Sequence, residues 1–253
     1  MIALKNRKIV LFGLVAILGV ILLFCVVTIF FDQAILVRKH TFYHAYILNK
    51  IVALTFDDGP STEWTPKILD VLKNERVKAT FFVLGEHVAQ YPAIARRITI
   101  EGHEIGNHSY DHHVLLFYKA EKLEKDIRDC EKVVQDATGV TTRYFRPPKA
   151  WLSESEKKVI SNMGYTVVLW SLNSKDWVTF DDKYIVRFIV RNVRSGDIIL
   201  FHDSGGIFGV GGGDRHETVK AIPELIRILK AKGYRFVTIG ELLQSAKSHE
   251  IKQ

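Results

Sequence analysis

Short apolar runs of strand length, at 51–56, 79–84, 104–107, 144–146, 166–171, 198–202 and 235–239, alternate along this chain with longer stretches of helical periodicity. Strands separated by helices predict a parallel sheet, and in a barrel built that way the groups that do chemistry gather at the C-terminal ends of the strands. Polar residues stand at those ends: Asp57 and Asp58 in TFDDGP, His108 and His112 in HSYDHH, Arg146 in FRPP, Asp176 in SKDW and His202 in ILFHD. Five separate strand ends therefore point at one place. Two imidazoles and a carboxylate can hold a metal, while another carboxylate and another imidazole stay free for proton transfer.

The first block breaks the pattern. Ile9 to Phe31 is almost wholly apolar, and at about 1.5 Å per residue it covers the roughly 30 Å of hydrocarbon in a bilayer. It predicts a transmembrane helix. A cleaved signal peptide would have an apolar region about half as long leading to a small-residue cleavage site, whereas Phe30-Phe31-Asp32-Gln33 follows here. Lys5, Arg7 and Lys8 precede the run and set residues 1–8 on the cytoplasmic side, although Arg38 and Lys39 beyond it reduce the contrast. The expected organisation is a cytoplasmic N-terminus (1–8), an anchor (9–31), a stem (32–49), one extracellular catalytic domain (50–245) and a tail (246–253), held to the cell membrane by a single pass.

Charge and cysteines narrow the picture. The two cysteines, Cys25 in the apolar run and Cys130 in a helical stretch, leave no disulfide for the outer domain. The net charge of +7 suits a negatively charged setting such as a cell envelope, with several of the charges flanking the membrane run. No run joins clustered basic residues to aromatic stacking positions, which argues against nucleic-acid binding. The glycine-rich stretch GGIFGVGGG at 205–213 lacks the Gly-Lys-Ser/Thr ending of a phosphate loop, which argues against a nucleotide. It reads as a flexible loop on the active rim, before a helix from about 217 to 232.

Each motif alone is weak. Asp57-Asp58-Gly59-Pro60 has the composition of a plain turn. Both carboxylates can face one site only if the chain turns there, which Gly59 permits. His108 and His112 share a common metal-ligand spacing, but His103 and His113 lie close by. The ordered set is different in kind. TFDDGP, HSYDH, Tyr144-Phe145-Arg146-Pro147-Pro148, the stretch from Trp170 to Trp177, and Ile198 to Asp203 together resemble the five motifs of polysaccharide deacetylases, carbohydrate esterase family 4. The likeness covers roughly residues 50–245 and extends to the stretches Asp214–Val219 and Lys232–Phe236.

The resemblance implies a distorted (β/α)7 barrel preceded by the transmembrane helix, and metal-assisted hydrolysis of N-acetyl groups on a glycan. It implies that Asp58, His108 and His112 hold the metal, that Asp57 is the general base paired with Arg146, and that His202 is the general acid supported by Asp176. Asp203 is the rival partner for His202. Leu200 and Trp177 match residues lining the acetyl pocket, and the backbone N–H at Lys149 matches a donor to the developing oxyanion. The family often has an aromatic residue and glycine where this chain has Lys149 and Ala150. Zinc is the expected metal, with cobalt, nickel or manganese acceptable to the same ligands. Peptidoglycan is the first expected substrate, followed by chitin-like oligosaccharides, poly-N-acetylglucosamine and O-acetylated xylan. An inactive glycan-binding protein is the reading from another class, and the presence of all five of Asp57, Asp58, His108, His112 and His202 argues against it.

Overall fold

The structure is a computed structural model of the chain; it describes residue 7 and residues 12–23, 32–179, 181–205 and 213–250. Residues 12–23 form a helix, α1, with exposed apolar side chains such as Phe12, Leu18 and Leu23. The rest of the apolar run expected to span a membrane lies outside the described residues, and no helix among the described residues is long and apolar enough to cross one.

From there the chain runs through β1 (Ile51–Asp57), α2 (Trp64–Asn74), β2 (Thr80–Val83), α3 (Gly85–Gln90), α4 (Pro92–Ile100), β3 (Glu104–Asn107), α5 (Ala120–Thr138), β4 (Tyr144–Phe145) and α6 (Glu154–Asn162). It continues through β5 (Thr166–Val167), β6 (Leu172–Asn173), α7 (Asp182–Asn192), β7 (Ile198–His202), α8 (His216–Ala231), β8 (Arg235–Val237) and α9 (Ile239–Glu250). All strand pairs are parallel, in the order β5-β4-β3-β2-β1-β7-β6, with β8 against the start of β1.

The single strand expected at 166–171 is two short pieces, which form the two ends of this sheet path. β5 pairs with β4, and β6 pairs with β7 across the other side, so this one stretch of chain brings the ends together and curls the sheet into a distorted barrel. Counted as one broken strand, the pieces leave seven strand positions. The carbonyls between them are satisfied from side chains: Arg146 donates to Val168 and Leu169, and Arg38 to Trp170. The strand expected to reach 239 stops at Val237, because Thr238 and Glu241 exchange side-chain and backbone hydrogen bonds and start α9 instead. α9 runs on into the stretch expected as a tail.

Residues 32–49, expected as a stem, lie against the barrel. Phe42 bridges Val168, His44 bridges Asp197, and Ala34 and Ala45 are buried.

Alternation along β1 and β7 divides their apolar side chains between two of the three apolar clusters among the described residues. Val52, Leu54 and Phe56 of β1 pack outward with β7's Ile199 and Phe201 against the helices, while Ile51 and Ala53 face inward with Ile198 and Leu200. The same period of two carries Asp57 and His202 onto the inner face. β1 and β7 set them side by side as register partners.

Candidate active site

The inner face brings Asp57 to Arg146. Arg146 is wholly buried; its Nη1 donates to Asp57 Oδ1 at 2.6 Å and to Thr55 Oγ1 at 2.8 Å, and its guanidinium lies 4.0 Å above the Phe82 ring. Burial pulls its pKa down and the Asp57 carboxylate opposes that. Only a guanidinium has enough donors in a plane to serve Asp57, Thr55 and two carbonyls at once, so lysine is no substitute here.

The turn that lets Asp57 and Asp58 share a site is made by Asp58 itself, with φ 79°, and not by freedom at Gly59. Gly59 is required for a different reason: a Cβ there would lie 2.1 Å from Asp203 Oδ2. Among the described residues, seven of the nine non-glycine residues with positive φ (Asp58, Ser109, His112, Phe117, Lys149, Ala150 and Lys175) lie in the loops at this end of the barrel. Left-handed backbone costs energy for such residues and collects where geometry serves a site.

Asp58, His108 and His112 converge, with one ligand atom from each lying within 4.8 Å of the others. His108 Nε2 stands 3.4 Å and His112 Nε2 3.3 Å from Asp58 Oδ1, and that buried oxygen has no hydrogen-bond partner. Ligand bonds of about 2.0–2.1 Å in a tetrahedral site put ligand atoms about 3.3–3.4 Å apart, so the spacing fits an ion. His108 Nδ1 donates to the Arg146 carbonyl at 2.6 Å, which fixes the tautomer and leaves Nε2 with its lone pair aimed inward. Burial would raise the pKa of Asp58, yet the facing imidazoles of His108 and His112, with His202 beyond them, hold it far below the ordinary range. Burial pushes His112 down to about 4, a neutral ligand at neutral pH. The residues present fit a divalent metal.

His202 is held at two points by one carboxylate. Its Nδ1 lies 2.8 Å from Asp176 Oδ1 and its backbone N–H donates to Asp176 Oδ2 at 2.9 Å, where Thr218 Oγ1 also donates at 2.9 Å. Burial works to lower the His202 pKa, but the charge and hydrogen bond of Asp176 outweigh it and raise it. Asp203 points elsewhere: it accepts from Thr65 Oγ1 at 2.5 Å, and burial, with repulsion from Asp58 and Asp57, pushes it up to about 7. Between the two candidates, the geometry selects Asp176.

Leu200 lies two residues before His202 on the same inner face and is buried. Trp177 follows Asp176 and is half-buried, and Lys149 is exposed in the turn Pro148–Ala150 after β4, with φ 55°. Its charge bears on His112. Beside the site opens a cavity of about 500 Å³ lined by Pro60, Trp64, His87, Tyr91, Ser204 and Asp214 among others.

Sequence reasoning passes over several supporting residues. His87 Nδ1 donates to the Asp58 carbonyl at 2.7 Å, and Arg215 pins the chain after His202 through the carbonyls of Ser204 and Gly205. Arg215 and Thr218 fall in the stretch 214–219 that carried part of the resemblance, but the partner of Thr218, Asp176, lies far off in sequence. Gly205, with φ 74°, passes so close to Asp58 that a Cβ would lie 2.2 Å from its Oδ2. Gly205→Ala should therefore displace a metal ligand and lower metal affinity by roughly 10- to 100-fold; a calorimetric titration showing parental affinity would refute this.

Comparison with known proteins points the same way. The sequence profile of the family described as polysaccharide deacetylase matches residues 37–168. A peptidoglycan-N-acetylglucosamine deacetylase of Bacillus cereus is 41% identical over 198 residues, which span 78% of this chain and 89% of the relative. The peptidoglycan-N-acetylmuramic acid deacetylase PdaA of Bacillus subtilis is 33% identical over 213 residues, 82% of this chain and 77% of the relative. The crystal structure of the Bc1960 peptidoglycan N-acetylglucosamine deacetylase superposes with a TM-score of 0.77 at 34% identity, covering 84% of this chain and 97% of that one. Sequence, barrel and site agree, and the chain belongs to the polysaccharide deacetylase family, carbohydrate esterase family 4.

Proposed function

We propose that this chain removes N-acetyl groups from the amino sugars of peptidoglycan, outside the cell and while anchored in its membrane, with zinc as the metal. One observation carries the reading: a metal-fitting triad, a carboxylate paired with a buried arginine, and a histidine paired with a buried carboxylate meet at one end of one barrel. The relatives' names point to peptidoglycan, and they divide between the two sugars.

Asp58, His108 and His112 would hold the metal, which when bound supplies polarisation of the acetyl carbonyl and a water of pKa lowered from about 15.7 towards 7. Asp57 takes the proton from the attacking water, and Arg146 holds and aims it. The backbone N–H at Lys149 would donate to the oxyanion, and any residue but proline supplies such a donor. Leu200 and Trp177 enclose the acetyl methyl. His202, protonated through Asp176, gives its proton to the leaving amine. The apolar run 9–31 serves as the anchor, and Lys5, Arg7 and Lys8 favour an outward catalytic domain.

The test is release of acetate by the full chain, loaded with zinc, from peptidoglycan and from a panel of chitin oligosaccharides, poly-N-acetylglucosamine and acetylated xylan. Peptidoglycan should be the preferred source. Acetate from xylan alone, or from none of them, would overturn the proposal.

The role of Asp176 has its own signature. His202 must be protonated to act, so the rate falls as pH rises through its pKa, which Asp176 raises. Asp176→Asn should move the alkaline limb of the pH–rate profile to lower pH. An unchanged limb would show that Asp176 does not tune the acid.

A further inference from the structure

The chain that follows the apolar run enters the fold beside the catalytic end of the barrel. The Asp32 carboxylate accepts the Trp170 indole N–H, at 2.9 and 3.1 Å to its two oxygens, and takes the Ala34 N–H at 3.2 Å to start the short 3₁₀ turn Gln33–Val37. Its charge reaches Lys175, the neighbour of Asp176, and opposes the burial that lowers that ammonium's pKa. The turn packs against Pro148–Ala150, which follows Arg146, and Ala34 is fully buried in the cluster that includes Ala150 and Leu200. The apolar run of the sequence thus ends at Phe31, one residue from a point fixed beside the active site.

The same edge carries exposed apolar side chains. Ile35 is 51% and Leu36 73% exposed on the turn, Trp151 is 43% exposed one residue beyond Ala150, and Phe117 is 86% exposed. Phe117 has φ 70°, unfavourable for a bulky residue. Glu156, itself buried, holds it there: one oxygen accepts the Phe117 N–H at 2.5 Å and the other the Ser153 N–H at 2.8 Å. A single carboxylate thereby ties the Phe117 loop to the chain just after Trp151. Lys39 and Lys149 are exposed on the turns beside these apolar groups. Exposed aromatic and aliphatic groups flanked by lysines suit the headgroup layer of an anionic bilayer.

We infer that this edge of the barrel, built from Ile35, Leu36, Phe117 and Trp151, rests on the outer surface of the bilayer that holds the anchor, so that the site acts on glycan lying at the membrane surface. The inference rests on the anchor reading above: an anchor ending at Phe31 and a carboxylate docked at Asp32 leave almost no chain to separate bilayer from barrel, since neighbouring Cα atoms are about 3.8 Å apart. The occupant is a lipid surface, because the tether delivers this edge to one.

The test uses the full chain with Cys25→Ser, buried Cys130 left in place, and single introduced cysteines at Leu36→Cys, Phe117→Cys, Leu48→Cys or Ile100→Cys, each carrying an environment-sensitive fluorophore. Leu48 and Ile100 are exposed at the opposite, N-terminal ends of the strands. The proteins are reconstituted into phosphatidylglycerol–phosphatidylcholine vesicles with brominated acyl chains. Labels at 36 and 117 should be quenched roughly twofold or more, as expected for groups about 5–10 Å into the headgroup boundary, and those at 48 and 100 should not. Co-flotation with unquenched labels at 36 and 117, or quenching at 48 and 100 instead, overturns the inference and leaves the anchor standing. Failure to float with the vesicles overturns both. Acetate release from soluble peptidoglycan fragments by the same preparations reports separately on the proposed activity.

Discussion

Asp57→Asn should lower hydrolysis by roughly 10² to 10⁴ while the protein still binds its metal. The substitution keeps the shape and leaves an amide oxygen to accept from Arg146 Nη1, now 2.6 Å from the carboxylate. What it removes is the group that can take a proton from water. The neighbouring triad is built from Asp58, His108 and His112 alone, so metal content should stay near that of the parent. Stability should suffer, because a wholly buried guanidinium loses its counter-charge, a change that costs about 3–5 kcal/mol when a buried pair is broken. The comparison therefore belongs at a temperature well below the variant's melting point, with circular dichroism confirming the fold. A variant that holds its metal and works within tenfold of the parent would remove Asp57 from the role of base.

The positions of the reacting groups were legible in the sequence because strand alternation is a strict geometric rule. Once 51–57 is a strand buried on both faces, the inward set must include Ile51, Ala53 and Asp57, and the same period places Leu200 and His202 together. Much of what supports those groups was not legible, because it rests on contacts between distant residues. Nothing local marks His87 as the donor to the Asp58 carbonyl, or Thr218 as the residue that steadies Asp176. Gly59 shows the difference most plainly. Its neighbours suggested a need for turning freedom, and its actual constraint is the Asp203 carboxylate, 144 residues on in sequence and pressed against its α-carbon. The broken strand at 166–173 escaped for a related reason: hydrophobic pattern shows where a strand runs, not where it changes partners.

His108→Ala and His112→Ala should each strip the metal and abolish activity, but with different effects on the apoprotein. Both ring nitrogens face Asp58 Oδ1 at a spacing fit for an ion, and two of three ligands make a poor site for one. His108 also has a structural task, since its Nδ1 serves the buried Arg146 carbonyl. Its loss leaves that acceptor unpaired, at about 1–3 kcal/mol. What His112 gives up lies within the triad, with part of its ring open to solvent, so its alanine variant should melt close to the metal-free parent. Metal bound only to the native state stabilises it by about 2.7 kcal/mol at a hundredfold excess over Kd, so added zinc should raise the melting point of the parent and of neither variant. Acid should mimic the variants. Burial opposes a proton on His108, but Asp57 and Asp58 together raise its pKa, and a proton there occupies the lone pair a metal needs, so metal retention by the parent should decline as pH falls through that raised value. Elemental analysis after dialysis decides the assignment: one zinc per chain in the parent and almost none in either variant is the expected result, and full metal content in both variants would place the ion elsewhere.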